Sequence, residues 1–319
     1  MVSVYLDGAI VPAADAKVSA FDAALQHGVG LFETMLAVRE PAGTARVLHL
    51  HEHLTRLRGS ALGLGLAQTL HMGPLGEAVQ RTVAHAASHS PDQRRWRVRL
   101  TLTGGDLNLL ARSGGAHQPS LLIVAQPATE YPDAMFERGA LVLLADLRVS
   151  PLDPMQGHKT PAYWGRLREL QAAAAKKADE ALVFSITNHL CGGCVSNVFV
   201  VKDGVLMTPI ARGEEEDVAA GDDGPTDAPL PRGPAGAVLP SPVLPGVVRR
   251  WVLDWALSEG IPCRRRMLTL EDLLSADEVF LTNSSWGVLP VTGLEAHRVG
   301  QGVGVTARSL VEAWGELAS

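Results

Sequence analysis

Segments that alternate apolar and polar residues and segments with helical spacing follow one another along nearly the whole chain. That succession constrains the fold more than any other feature, since it calls for layers of sheet and helix. Residues 2–12 read as a hairpin turning at Asp7-Gly8. A glycine turn at Gly28 leads into a strand through Val38, and Trp96–Thr103 alternates as a strand exposed on one side. Between them, Leu50, Leu54, Leu57 and Ala61 share one helical face, and Leu70–Ala87 forms a second helix. Ser120–Ala125 is a short apolar strand. A second unit begins near Pro127–Pro132, with strands at 139–147, 181–186, 198–201, 205–207 and 278–282. Its helices are expected at 163–178, 247–258 and 305–317.

One stretch breaks the pattern. Residues 212–240 carry seven acidic groups between Glu214 and Asp227 and almost no large side chains. Burial there cannot offset the entropy of ordering, so the expectation is a long surface loop. The rest of the composition suits a folded chain of one large or two ordinary domains: 319 residues, 46% hydrophobic. A net charge of -6 argues against nucleic acid, and Arg94-Arg95-Trp96-Arg97 and Arg264–Arg266 are short basic clusters in an acidic background. With no basic, apolar leader and no run long enough for a membrane span, the expected location is the cytoplasm.

An odd, low count of three cysteines argues against a disulfide scaffold. Cys191-Gly192-Gly193-Cys194 has the spacing of a redox pair or half a zinc site. Zinc would need two more ligands, and His189 alone is near. The strand, turn and helix of a thioredoxin-like site are missing as well, so the pair is expected to be two half-buried residues on a strand, with no metal bound.

The chemistry centres on Lys159, in Gly157-His158-Lys159-Thr160-Pro161-Ala162-Tyr163-Trp164. A lysine that forms a Schiff base needs an amine that can lose its proton, which burial near other charges favours. Around it stand Leu6-Asp7-Gly8, Gly28–Thr34, His53-Leu54-Thr55-Arg56-Leu57, Ser196-Asn197-Val198-Phe199, Thr208-Pro209, Leu244-Pro245-Gly246-Val247 and Pro290-Val291. As an ordered set they resemble the fold-type IV pyridoxal-phosphate enzymes: branched-chain and D-amino-acid aminotransferases and 4-amino-4-deoxychorismate lyases. The resemblance covers nearly the whole chain and leaves the acidic stretch outside as an insertion.

The resemblance implies an α+β fold in two domains, a small α/β domain over 1–126 and a larger one with a barrel-like sheet over 133–319, assembled as a homodimer. It implies pyridoxal 5'-phosphate held as an internal aldimine on Lys159, which then shuttles the α-proton of an amino acid or amino-chorismate substrate. Arg56 matches the arginine that contacts the phosphate, whose planar fork suits that group. Val247 and Val248, at a helix N-terminus, and Ser284 and Ser285, after a strand, supply further phosphate donors. Tyr163 aligns with a tyrosine that bonds the ring oxygen. Phe32, where the D-amino-acid enzymes carry tyrosine, and Arg97 are the substrate-side candidates; Arg99 shares the strand face of Arg97.

Gly192 is the departure with most consequence. The family has a glutamate five residues before the asparagine of S-N-x-F, pairing with the ring nitrogen and keeping it protonated as an electron sink. Counting back from Asn197 reaches Gly192, and Glu180 is too early on the preceding strand to be taken as its equivalent. The arginine motifs that grip substrate elsewhere in the family have no match at Thr103–Asn108. Two readings stay open: an active aminotransferase or aminodeoxychorismate lyase, and a degenerate member with weak or no transamination.

Overall fold

The computed structural model describes residues 1–106, 119–220, 230, 232 and 238–319. The chain divides into two compact units. One comprises residues 1–130, 158–162 and 318–319, the other 131–157 and 163–317. The five residues around Lys159 therefore pack with the N-terminal unit although the chain on both sides of them belongs to the second.

The first unit contains β1 (Ser3–Leu6), β2 (Ala9–Val11), α1 (Ala23–His27), β3 (Gly30–Arg39), β4 (Ala45–Val47), α2 (Leu50–Gly63), α3 (Met72–Ser88), β5 (Arg95–Thr103) and β6 (Leu121–Pro127). Its antiparallel six-stranded sheet runs β2-β1-β6-β5-β3-β4. Strand alternation decides which face is dry. Trp96, Val98, Leu100 and Leu102 of β5 bury against Leu54, Leu57 and Ala61 of α2 and Val79, Val83 and Ala86 of α3. Arg97, Arg99 and Thr101 consequently fall on the opposite face, half-buried.

The second unit contains α4 (Asp133–Arg138), β7 (Ala140–Val149), α5 (Trp164–Ala175), β8 (Glu180–Ser185), β9 (Leu190–Gly193), β10 (Asn197–Lys202), β11 (Val205–Pro209), α6 (Glu215–Ala220), α7 (Val247–Ser258), β12 (Cys263–Arg266), α8 (Leu270–Leu274), β13 (Glu278–Asn283), β14 (Gly287–Leu294), β15 (His297–Arg298) and α9 (Val305–Leu317). Its nine-stranded mixed sheet runs β12-β11-β10-β13-β14-β7-β8-β9, with β15 on β14. It curls so that β9 also packs beside β10. Helices cover it in patches. Val252 of α7 and Leu310 of α9 join the stacked rings of Phe199 and Phe280, 5.0 Å apart, while Ala173 of α5 packs on Ala145 and Val183. Buried on both faces, β8 and β10 read as apolar runs rather than alternating ones.

The acidic insertion departs from the loop expected over 212–240. Residues 215–220 form α6, because the acidic side chains find donors. Glu214 forks onto Arg249, at 2.7 Å from each of two guanidinium nitrogens. Glu215 accepts the backbone N–H groups of Gly213 and Ser241. The two ends of the insertion are pinned to each other as well: Arg212 N–H donates to Val243 O at 3.0 Å and Ser241 Oγ to Ile210 O at 2.6 Å. The remainder of that expectation, at 221–229, 231 and 233–237, lies outside the described residues, as do Leu107 and Asn108. Among the described residues, no helix is long and apolar enough to cross a membrane. Nor does any group of three His, Cys, Asp or Glu side chains among them offer a metal site.

Candidate active site

In the first unit, Lys159 is tied to the start of β3. Phe32 N–H donates to Lys159 O at 2.9 Å. Gly30 permits this approach, since a Cβ there would meet Leu102 O at 2.7 Å and Pro161 at 3.4 Å. The Lys159 amine lies 4.5 Å from the Phe32 ring centroid, and the Arg99 guanidinium 3.8 Å from the same centroid. Two cations thus share one buried ring, each attracted by its negative face. The sequence pointed to Arg97; the structure brings Arg99, two residues further on that strand face, against Phe32.

Helix α2 presents His53, Arg56 and Ser60 along one side, at helical spacing. Ser60 Oγ meets His158 Nδ1 at 2.9 Å, next to the lysine. Arg56 forks onto buried Glu33, with Nε to Oε1 at 2.9 Å and Nη2 to Oε2 at 2.5 Å. His53 Nδ1–H donates to the same carboxylate at 2.7 Å. Burial pushes Glu33 up, but the Arg56 charge and the His53 hydrogen bond outweigh it and hold the carboxyl at about 2. Burial drives the His53 pKa down, and the Arg56 and Lys159 charges add to that against Glu33, so the ring stays neutral. The sequence named Arg56 and missed its brace. The brace was signalled only by Glu33 and His53 being polar residues on strand and helix faces that prove fully buried.

In the second unit, loops gather on the turn that joins β9 to β10. Asn197 Nδ2 donates to Leu244 O at 2.9 Å, fixing the segment that opens α7. A Cβ at Gly246 would collide with Asn197 Oδ1, so the helix start lies directly on that side chain. Asn283 Nδ2 donates to Val195 O at 3.3 Å, and its Oδ1 accepts the N–H groups of Ser285 and Trp286. Tyr163 Oη donates to Cys194 O at 2.7 Å. Four of the residues expected at the phosphate end, Val247, Val248, Ser284 and Ser285, are therefore held around one turn, together with Tyr163.

That turn is built on glycine and on Glu180. Gly192 has φ +137°, and a Cβ there would sit 2.8 Å from Ser196 O. A Cβ at Gly193 would strike Ser196 Oγ. Glu180, fully buried, accepts from Ala181 N (2.9 Å), Cys194 N (3.1 Å), Val195 N (3.1 Å) and Ser196 Oγ (3.1 Å). Burial raises its pKa against these four hydrogen bonds. Both of its oxygens are thus spent on the turn itself. Cys191 and Cys194 are free thiols, buried rather than half-buried, and burial pushes each up to about 12. Burial thus favours the neutral thiol over the reactive thiolate at both positions.

The amino-transferase class IV family matches residues 30–216 and 236–294 of the chain. A putative branched-chain-amino-acid aminotransferase of Methanocaldococcus jannaschii is 30% identical over 319 residues, covering 98% of this chain and 96% of its own. A branched-chain amino acid aminotransferase of T.th., solved with pyridoxamine 5'-phosphate, superposes with a TM-score of 0.79 at 23% identity, covering 99% of this chain and 93% of that one. The 4-amino-4-deoxychorismate lyase of Pseudomonas aeruginosa superposes with a TM-score of 0.74 at 26% identity over 98% of both chains. These likenesses bear out the α+β fold expected from the sequence.

Proposed function

This chain belongs to the class IV amino-transferase family, and on that premise we propose that it is a pyridoxal-phosphate enzyme acting on an amino acid or related amine through Lys159. The observation that carries the reading is the placement of Lys159 and Arg99 on Phe32. An amine that can attack a carbonyl stands beside a guanidinium that can hold a carboxylate.

The donor set fits the cofactor at its phosphate end. Helix α7 opens at Gly246 with no side-chain cap, leaving the N–H groups of Val247 and Val248 and the helix dipole for an anion. Ser284 and Ser285, on the same unit, add hydroxyl donors. Tyr163, expected at the ring oxygen, gives its one hydroxyl proton to Cys194 O and keeps only acceptor capacity for the cofactor. Bound, pyridoxal phosphate supplies a carbonyl that condenses with amines and a ring that draws electrons from the substrate α carbon. Lys159 Nζ takes the proton from that carbon and returns one. Phe32 shields one flank of the amine from water, and Arg99 orients the substrate by its carboxylate. The family likeness also supports a homodimer, which sedimentation would test.

Purified protein mixed with pyridoxal phosphate is expected to gain visible absorbance, and Lys159→Ala to lose it. A wild-type protein that stays colourless overturns the reading. A second reading is carried by Gly192, whose backbone leaves the ring nitrogen without a carboxylate: transamination is weak and lyase chemistry prevails. Amino-group transfer to a panel of 2-oxo acids, set beside pyruvate release from aminodeoxychorismate, separates the two.

A further inference from the structure

We propose that Glu214, where the chain enters the insertion, is a positioning residue for the anion site at the start of α7, so that the root of the insertion and the phosphate end are coupled. The proposal rests on the phosphate reading of that helix start given above. Every residue it uses belongs to the second unit.

The link is Arg249, in the first turn of α7. The first intrahelical bond there runs from Arg250 N–H to Gly246 O at 2.9 Å, so the N–H groups of Val247, Val248 and Arg249 have no partner one turn back. The Arg249 side chain is 2% exposed. Its Nε–H meets Thr208 Oγ1 at 3.2 Å and its Nη2–H meets Pro209 O at 2.9 Å, both neutral acceptors at the end of β11. Its counter-charge is Glu214, forked across Nη1 and Nη2. Glu214 Oε2 also accepts Ala211 N–H at 2.9 Å. One residue on, Glu215 accepts Gly213 N–H and Ser241 N–H, and Asp217 faces Arg265 of β12 at 3.7 Å. The family match breaks off at residue 216 and resumes at 236, so the segment particular to this chain begins directly beside the carboxylates that hold α7.

Removing the Glu214 charge would act on an anion at this helix start in two opposite ways. Less negative charge nearby would tighten binding. A buried guanidinium left with two neutral acceptors would not keep its place, because a buried charge needs an opposite one. The first turn would then move, and with it the N–H groups whose bonds to an anion depend on direction. The second effect wins, because the Glu214 charge is already neutralised by Arg249 and repels an anion little. Linkage makes the coupling reciprocal: an anion at α7 holds the Glu214–Arg249 pair closed as firmly as the pair holds the anion site.

The test compares pyridoxal phosphate with pyridoxal, which lacks the phosphate, on the full chain. Glu214→Gln should weaken binding of pyridoxal phosphate by about tenfold, within the range usual for coupled sites, and leave pyridoxal binding unchanged. An effect on folding alone would not separate the two ligands. Equal affinities in wild type and variant overturn the proposal, and so does tighter binding of pyridoxal phosphate by the variant. Amide hydrogen exchange at Ala211 in wild type reads the reverse direction and decides if the variant fails to fold. Pyridoxal phosphate should slow it and pyridoxal should not; exchange that ignores the phosphate overturns the proposal. Protein that gains colour with neither aldehyde overturns the cofactor reading instead. In that case inorganic phosphate takes the ligand's place in the exchange measurement, where slowing at Ala211 supports the role of Glu214 and no slowing overturns it.

Discussion

Glu33 and Glu180 are both fully buried carboxylates, yet their environments push them in opposite directions. Glu33 faces a guanidinium and an imidazole, and charge wins over burial. Glu180 faces three backbone N–H groups and a hydroxyl, and burial wins over hydrogen bonds. The difference shows what each is for. A charged bracket fixes the direction of another charge, so Glu33 aims Arg56. A set of neutral donors fixes backbone, so Glu180 shapes the Cys194–Ser196 turn.

The largest expected effect separates the two at once. Glu33→Ala removes the buried carboxylate that Arg56 and His53 both bond, and should destabilise the protein by about 3–5 kcal/mol in urea unfolding. A loss under about 1 kcal/mol would mean that Arg56 finds another partner and that the bracket is not structural. Glu180→Gln turns an amide N–H toward donors that need an acceptor, and should remove about 1–3 kcal/mol. If charge rather than acceptance mattered there, the loss would approach that of Glu33→Ala. Gly192→Glu, which by sequence restores the missing carboxylate, should instead cost about 1–3 kcal/mol of backbone strain and bring no gain in amino-group transfer. A stable variant with a large gain would show that the turn relaxes easily.

The smallest effect lies in the pH profile, where the two clusters have opposite signs. His53 is held neutral in the folded chain, so stability falls as pH drops below the ordinary value of 6.5, where the unfolded ring takes a proton that the folded ring refuses. Glu33 adds a further loss below 4.5, continuing toward about 2. Glu180, raised, contributes stability below 4.5 that fades as pH rises through its folded value. His53→Gln should therefore flatten the decline that starts near neutral pH. Glu180→Gln should steepen the acid limb. Unfolding midpoints measured from neutral pH into mild acid would show both, and an unchanged profile for His53→Gln would remove the histidine from the account.

The legible part of this chain was the part governed by local periodicity. Strands β3, β5 and β7 and helices α2, α3, α7 and α9 follow from alternation and helical spacing within their own residues. Strand β14 was not legible, because Pro290 and Gly293 interrupt its pattern; its pairing shifts register between Val291 and Gly293. Strands β9 and β12 are only four residues each, too short to show a period. Helix α6 was hidden by a composition that offered no core, and it forms through Arg249 and Ser241, about thirty residues downstream. In the candidate site, Lys159, Arg56 and Tyr163 stood out through the order of motifs. Glu180 did not, because the turn it supports lies 14 residues away and comes back only through the β8–β9 hairpin.

The pinned ends of the insertion make it a splice point. Arg212 and Val243, Ile210 and Ser241, and Glu215 and Ser241 hold the two strands of entering and leaving chain together whatever runs between them. A peptide tag or a small reporter domain grafted between residues 220 and 238 therefore becomes a way to label this enzyme while leaving Lys159 and its surroundings as they are.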